Sequence, residues 1–156
     1  MAVGLGFDIH PFDVEHSMVL GGVDIPSPAG LRGHSDGDVV IHAITDALLG
    51  AIGDADIGEL FPDTDEHNRD RDSAEFLQEA VGRVRSSGNQ IVNVDCVIAI
   101  EQPMIAPYRE KMCVNLSSIV GAPVHVKAKR GEGMGAIGRS EGVACWAVAQ
   151  IERVDK

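Results

Sequence analysis

Asp8 and His10, in the stretch Gly6-Phe7-Asp8-Ile9-His10, are the first side chains that could act on one ion. On a β-strand, residues two apart point to the same face, so both donors reach a common point. His42 supplies a third donor from the middle of a helical pattern. Asp38, His42 and Asp46 recur every four residues along one face, while Ile41, Ile44, Ala47 and Leu48 cover the other. One carboxylate and two imidazoles form a ligand set suited to zinc with an open fourth position, which is the arrangement of a catalytic site. Asp46 or Asp38 is then placed to hold the remaining ring N–H of His42. The plain alternative is a chance Asp-x-His beside a histidine satisfied in an ordinary core.

Other residues point to an anionic, hydroxyl-bearing ligand. Gly33-His34-Ser35-Asp36-Gly37-Asp38 opens the same helix, and free N–H groups at a helix start favour phosphate near His34 and Ser35. An ordinary cap is the competing reading. Asp54-Ala55-Asp56-Ile57-Gly58 and Phe61-Pro62-Asp63-Thr64-Asp65 crowd carboxylates into one loop, which suits vicinal hydroxyls or plain turn chemistry. Lys127, Lys129 and Arg130 form the dense basic patch beside glycine-rich 131–138 and are expected to face phosphates. Together these features describe a metal-assisted reaction on a phosphorylated polyol or nucleotide.

The elements that must position these groups follow from periodicity and punctuation. Residues 3–10 alternate as a strand that Pro11 and Phe12 are expected to end, and Met18 to Ile25, broken by Gly21-Gly22, reads as a hairpin. A helix runs from a cap at Ser35 or Asp36 to about Leu49, with Gly50 beyond its end. A long segment without regular structure follows to about Asp70. Asp72 or Ser73 caps a second helix to Ser87, residues 91–100 form a strand, and Pro107 opens a third helix to Val120. Strands at 124–129 and 142–154 complete an α+β chain with helices on one face of a mixed or antiparallel sheet. Val143, Cys145, Ala147 and Ala149 are too apolar for open water, so a homo-oligomer is expected to cover them.

Composition excludes several classes of function. The chain of 156 residues has the size of one domain, taken here as 1–156, with 44% hydrophobic residues. Its 13 basic and 24 acidic residues sum to −11, which disfavours nucleic acid and anionic membrane as partners. No apolar run reaches membrane-span length, the first residues lack the pattern of a signal peptide, and the 3 cysteines show no CxxC spacing. A cytoplasmic protein is expected.

These motifs together closely resemble the 2-C-methyl-D-erythritol 2,4-cyclodiphosphate synthases. The resemblance rests on Gly6 to His10, the block from His34 to Ala51, Asp56-Ile57-Gly58, Phe61 to Asp65, and Gly138-Arg139-Ser140-Glu141-Gly142. It implies a homotrimer with active sites between neighbours, and a reaction in which a cytidine-diphosphate-linked substrate cyclises and releases CMP. It further implies zinc on Asp8, His10 and His42, and magnesium or manganese on Glu132 between the substrate phosphates. Asp8, Ile9, His10, His34 and Ser35 would touch substrate, with His34 assisting the transition state. Asp56, Ile57 and Gly58 would meet the ribose, and Phe61, Pro62, Asp63, Thr64 and Asp65 would line the erythritol site. Ile100, Glu101, Gln102, Pro103, Met104, Ile105 and Ala106 would form the cytosine pocket, largely through backbone.

This chain departs from the family pattern at several positions. Lys129, Arg130 and Gly131 replace threonines before the metal-binding glutamate, with Arg130 on the transition-state position. Met104 replaces a lysine. Ala136 replaces a phenylalanine that, with the residue matching Arg139, lines a central cavity for isoprenoid diphosphates in some relatives. A nucleotide- and zinc-binding trimer with reduced turnover and a zinc phosphohydrolase are the alternative readings.

Overall fold

A computed structural model describes every residue except His34, Asp63, Arg69, Asp70, Asp155 and Lys156. The chain is α+β. Its main sheet has the order β4-β1-β7-β5-β6, where β4 is Gly30–Leu31, β1 is Ala2–Asp13, β7 is Gly142–Arg153, β5 is Asn89–Ala99 and β6 is Val124–Lys129. The β5–β6 pair is parallel and the other pairs are antiparallel, so the sheet is mixed. β2 (Met18–Leu20) and β3 (Val23–Ile25) form a separate hairpin. Its turn residues Gly21 and Gly22 both have positive φ, 59° and 69°, which glycine adopts without strain.

Helices α1 (Val39–Ile52), α3 (Ser73–Ser86) and α4 (Arg109–Val120) lie against the sheet and one another. α1 approaches β1 very closely, and small residues allow it. On the face toward α1, Gly4 pairs with Ala149 and Gly6 with Ala147. A Cβ built on Gly6 would stand 1.9 Å from the Ala43 carbonyl oxygen. The core therefore needs few aromatics: helix backbone lies on strand backbone, and aliphatic side chains fill the margins.

Several expectations need correction. Pro11 does not end β1. It pairs with Gly142, and the next N–H, that of Phe12, reaches the Glu141 carbonyl at 3.1 Å, so the missing proline donor is bypassed. The cap of α1 lies three residues later than the earliest one expected, because Asp38 is the residue whose carboxylate accepts from the Val40 and Ile41 N–H groups. It ends past Gly50, at Gly53, whose φ of 69° suits a left-handed C-cap. The loop after α1 contains a short helix α2 (Ile57–Leu60) and a 3-10 turn at Glu66–Asn68. α4 starts at Arg109, and α5 (Gly135–Gly138) lies within the glycine-rich stretch.

The face that needs covering is also not the expected one. Val143, Cys145, Ala147 and Ala149 are fully buried within the chain, beneath the helices. The exposed apolar residues alternate with them: Val3, Leu5, Phe7, Ile9, Trp146 and Val148. The period of 2 was read correctly, but both faces are apolar, so composition did not say which one the helices take. Among the described residues no helix is long and apolar enough to cross a membrane.

Candidate metal centre and active site

The glycines of β1 determine where the ligands meet. Gly4, Gly6, Asp8 and His10 share one strand face, and the first pair lets α1 lie on the backbone. The second pair then projects past Gly6 toward His42, which follows the Asp38 cap by one helical turn. Asp8 Oδ2 lies 2.8 Å from His10 Nε2 and 2.9 Å from His42 Nδ1, and the two ring nitrogens are 3.2 Å apart. Among the described residues these three form the group able to hold a metal, with donor atoms within 4.8 Å of one another. An anionic oxygen and two imidazole nitrogens converging on one point fit a divalent cation.

The electrostatics agree with that geometry. Burial raises the Asp8 carboxyl, but hydrogen bonds and charge from His10 and His42 outweigh it and hold the group well below the usual carboxylate range. Burial lowers His10, while Asp8 and a hydrogen bond to the Arg32 backbone outweigh it and raise the imidazole. The inner nitrogen of His10, Nε2, is the one directed at Asp8.

Asp38 does not hold the His42 ring. Its fully buried carboxylate accepts from four backbone N–H groups: Gly21 at 2.9 Å, Gly22 at 2.7 Å, and Val40 and Ile41 at 3.1 Å each. It clamps the β2–β3 turn to the start of α1. Asp46 does not hold the ring either. It accepts from the Ile57 N–H at 2.8 Å and anchors α2, and burial raises its carboxyl. The outer His42 nitrogen, Nε2, instead meets Ser73 Oγ at 2.8 Å and Ser35 Oγ at 3.0 Å. Ser73 had been read only as a helix cap, and its place here depends on a contact 31 residues distant in the chain.

A cavity of about 500 Å³ opens on the cluster. The structure brings the candidate residues Asp8, His10, Ser35, His42, Ile57, Gly58 and Phe61 together on its wall, with Arg32, Gly33, Asn68 and Phe76. Phe61 and Phe76 stack at 4.7 Å between centroids, and the Arg71 guanidinium lies over both rings. Asp56 caps α2 through the Glu59 N–H. Pro62, Thr64 and Asp65 are exposed on the segment beyond Phe61, whereas His34 and Asp63 lie outside the described residues.

A second cavity of about 210 Å³ is lined by Ile100, Glu101, Pro103 to Ala106, Ala128, Lys129 and Arg130. Gln102 does not line it. The Arg130 guanidinium donates to Glu101 Oε1 at 2.8 Å, and Glu101 Oε2 is buried without a partner among the described residues. Lys127 belongs to neither cavity, because its ammonium pairs with Asp95. Glu132 is exposed, with a positive φ of 52°. Ala136 lies in α5, and Arg139 pairs with Glu141 at 2.6 Å.

Comparison with known proteins places this arrangement. Residues 1–152 match the model of the YgbB family. A protein of Azoarcus sp. is 47% identical, with 98% of this chain and 96% of that protein covered. One of Rubrobacter xylanophilus is 51% identical, with 97% and 94% covered. Both are named 2-C-methyl-D-erythritol 2,4-cyclodiphosphate synthase. Among solved structures, a Plasmodium falciparum IspF in complex with CDP superposes with a TM-score of 0.87 at 33% identity, covering 99% of this chain and 97% of that one. The bifunctional IspDF of Campylobacter jejuni superposes at 0.94 with 38% identity over 99% of this chain, which spans 42% of that longer protein. The chain belongs to the YgbB family, whose members at this level of identity are 2-C-methyl-D-erythritol 2,4-cyclodiphosphate synthases.

Proposed function

We propose that this chain cyclises 4-diphosphocytidyl-2-C-methyl-D-erythritol 2-phosphate to 2-C-methyl-D-erythritol 2,4-cyclodiphosphate, releasing CMP, in the non-mevalonate isoprenoid pathway. The observation that carries the reading is the convergence of Asp8, His10 and His42 at the wall of a cavity whose other walls are the segments at 57–58 and 61. Asp8, His10 and His42 would hold zinc, which when bound supplies positive charge to phosphate oxygens. Glu132 would hold magnesium or manganese, whose charge would offset that of the substrate phosphates.

The substrate supplies its own nucleophile. An oxygen of its 2-phosphate attacks the β-phosphorus, the bond from that phosphorus to the bridging oxygen breaks, and CMP leaves with the electron pair. The residues therefore act by positioning and by electrostatics. Ser35, ahead of α1, would orient phosphate, a role the sequence also gives to His34, and Ile57, Gly58 and the Phe61 segment would fold the sugar toward the reacting phosphorus. Lys129 and Arg130 bring cationic donors to the diphosphate from the wall of the cytosine pocket.

In one chain the two cavities are separate, and assembly joins them in this reading. Three copies pack their exposed β1–β7 faces inward, and the cytosine pocket of one copy meets the metal-lined cavity of its neighbour. The support is the uncovered stripe of Leu5, Phe7, Ile9, Trp146 and Val148. A cytoplasmic location accords with this biosynthetic role.

Incubation of the purified protein with zinc, magnesium and the cytidylyl substrate tests the reading. Stoichiometric CMP and a cyclic diphosphate are expected, and a folded, zinc-loaded protein releasing none would refute it. The second reading is a CDP- and zinc-binding trimer without turnover. The observation favouring it is the Glu101–Arg130 pair, which ties up the guanidinium at the transition-state position. Calorimetric CDP binding with no CMP release distinguishes it.

A further inference from the structure

The metal cluster is held from behind by side chains that the proposed reaction does not use. Ser73 is the first residue of α3 and is fully buried. Asp36 engages it twice: Oδ2 accepts from the Ser73 N–H at 3.2 Å, and Oδ1 accepts from the Ser73 hydroxyl. A carboxylate accepts and does not donate, so the hydroxyl proton of Ser73 is committed to Asp36. The lone pairs of Ser73 Oγ are left facing His42 Nε2 at 2.8 Å. An acceptor at that distance requires the ring proton to be on Nε2. With Nε2 protonated, Nδ1, which lies 2.9 Å from Asp8 Oδ2 and 3.2 Å from His10 Nε2, is the ring atom left to bind a cation where the three atoms converge.

We infer that Ser73, oriented by Asp36, is a positioning residue for the metal centre that locks His42 in its Nε2–H tautomer and leaves Nδ1 as the donor to a divalent cation. The inference rests on the reading that Asp8, His10 and His42 hold a metal. The contact between Ser73 and His42 also links two parts of the cavity. Ser73 immediately follows the segment that contributes Ile57, Gly58, Phe61 and Asn68 to the cavity wall, so the orientation of the ligand and the seating of that segment share one hydrogen-bonded junction. The seryl oxygen of Ser35, 3.2 Å from Ser73 Oγ and 3.0 Å from Nε2, closes the junction on the cavity side.

The experiment uses the full-length protein and zinc alone. Ser73→Ala is expected to weaken zinc binding by about 10–100-fold in competition with a chromophoric chelator, the usual loss when the partner of a metal-bound histidine is removed. Ser73→Thr, which keeps the hydroxyl, is expected to restore affinity to within threefold of the unmutated protein. Structural destabilisation alone would lower the melting temperature of the zinc-free variant and leave zinc affinity unchanged. Long-range proton–nitrogen correlation of the histidine rings in the unmutated zinc-bound protein supplies a readout independent of any variant, and an Nε2–H signature is expected for His42. An Nδ1–H signature there, or Ser73→Ala binding zinc within threefold of the unmutated protein, overturns the inference while leaving the metal site standing. Failure of the unmutated protein to bind zinc at all overturns the metal reading instead.

Discussion

Gly6→Ala tests whether the closeness of α1 to β1 is what assembles the metal cluster. The added Cβ would lie 1.9 Å from the Ala43 carbonyl oxygen and 2.7 Å from the Ala47 nitrogen, both backbone atoms that cannot rotate away. Real Cβ contacts essentially never fall below 3.0 Å, so α1 must retreat by about 1 Å at this point. Overpacking of this kind costs about 3 kcal/mol, at the upper end of the usual range. In a chain of this size each kcal/mol shifts the melting temperature by about 2–4 °C, which gives a fall of roughly 6–12 °C. The same retreat carries His42, next to Ala43, away from Asp8 and His10. Metal sites tolerate errors of about 0.2 Å, so zinc affinity is expected to drop at least about tenfold. Gly82→Ala is the control. It lies in α3 with open space around a new Cβ, and is expected to gain about 0.5–1 kcal/mol with zinc binding unchanged. Thermal melts and chelator competition on the two variants read both quantities. A Gly6→Ala protein that melts within 2 °C (roughly the effect of 1 kcal/mol) of the parent and keeps its zinc affinity would refute the reasoning.

Zinc affinity is expected to rise with pH across the titration of His10, whose imidazole is raised above its ordinary 6.5 and must lose its proton to bind metal. The zinc-free pair behaves differently. Asp8, held low, stabilises above its ordinary 3.8, and this is lost as pH falls through its folded value; His10 stabilises below 6.5, and this is lost as pH rises through its raised value. The contributions overlap between 3.8 and 6.5. Melting curves with and without zinc at several pH values check both statements, and a zinc affinity flat from about pH 5.5 to 7.5 contradicts them. Leu5→Glu and Trp146→Glu each place a charge on the exposed apolar stripe without touching the core. Sedimentation is expected to show a folded monomer for the variants and a trimer for the parent, and an unchanged trimer in both variants rules out that face as the interface. Arg130→Ala is expected to lower kcat about 10–100-fold, the loss of one charge-assisted hydrogen bond to phosphate, with a smaller effect on CDP affinity. An unchanged kcat would remove Arg130 from the reaction.

Much of this fold was legible because its long elements announce themselves locally. The strands at 89–99, 124–129 and 142–153 carry alternation and β-branched residues, and α3 follows the expected apolar spacing of Phe76, Leu77, Ala80, Val81 and Val84. The misses lie where tertiary contact decides the outcome. Asp38 replaced the earlier caps because the same carboxylate also receives the Gly21 and Gly22 N–H groups, a requirement absent from the local sequence. Gly50 continues α1 and does not end it, because the left-handed C-cap conformation falls at Gly53; an added Cβ at Gly50 would make only ordinary contacts with Leu5 and Gly4 of β1. The two sheet faces are told apart only by tertiary contact, because both are apolar and only the one carrying Ala147 and Ala149 lies beneath the helices. These two residues are small because the Gly4 and Gly6 positions opposite them bring helix backbone to within contact.

The same distinction separates what was readable at the site from what was not. Strand period puts Asp8 and His10 on one face, and ligand chemistry makes His42 a candidate third donor, but spacing alone leaves a chance Asp-x-His open. What holds His42 from the other side could not be read this way. Asp38 and Asp46 lie four residues on either side of it, and helical spacing made them the natural partners, but one is consumed by the hairpin turn and the other by α2. Both carboxylates do structural work at the two ends of the helix turn that carries the ligand, and Ser73 of α3 takes the ring nitrogen between them. A neutral hydroxyl there leaves the ring donating without adding a second anion beside Asp8. The centre therefore keeps one carboxylate in contact with the two imidazoles, which suits a cavity that must also accept phosphate: another negative charge on this wall would repel the ligand that the rest of the wall is built to receive.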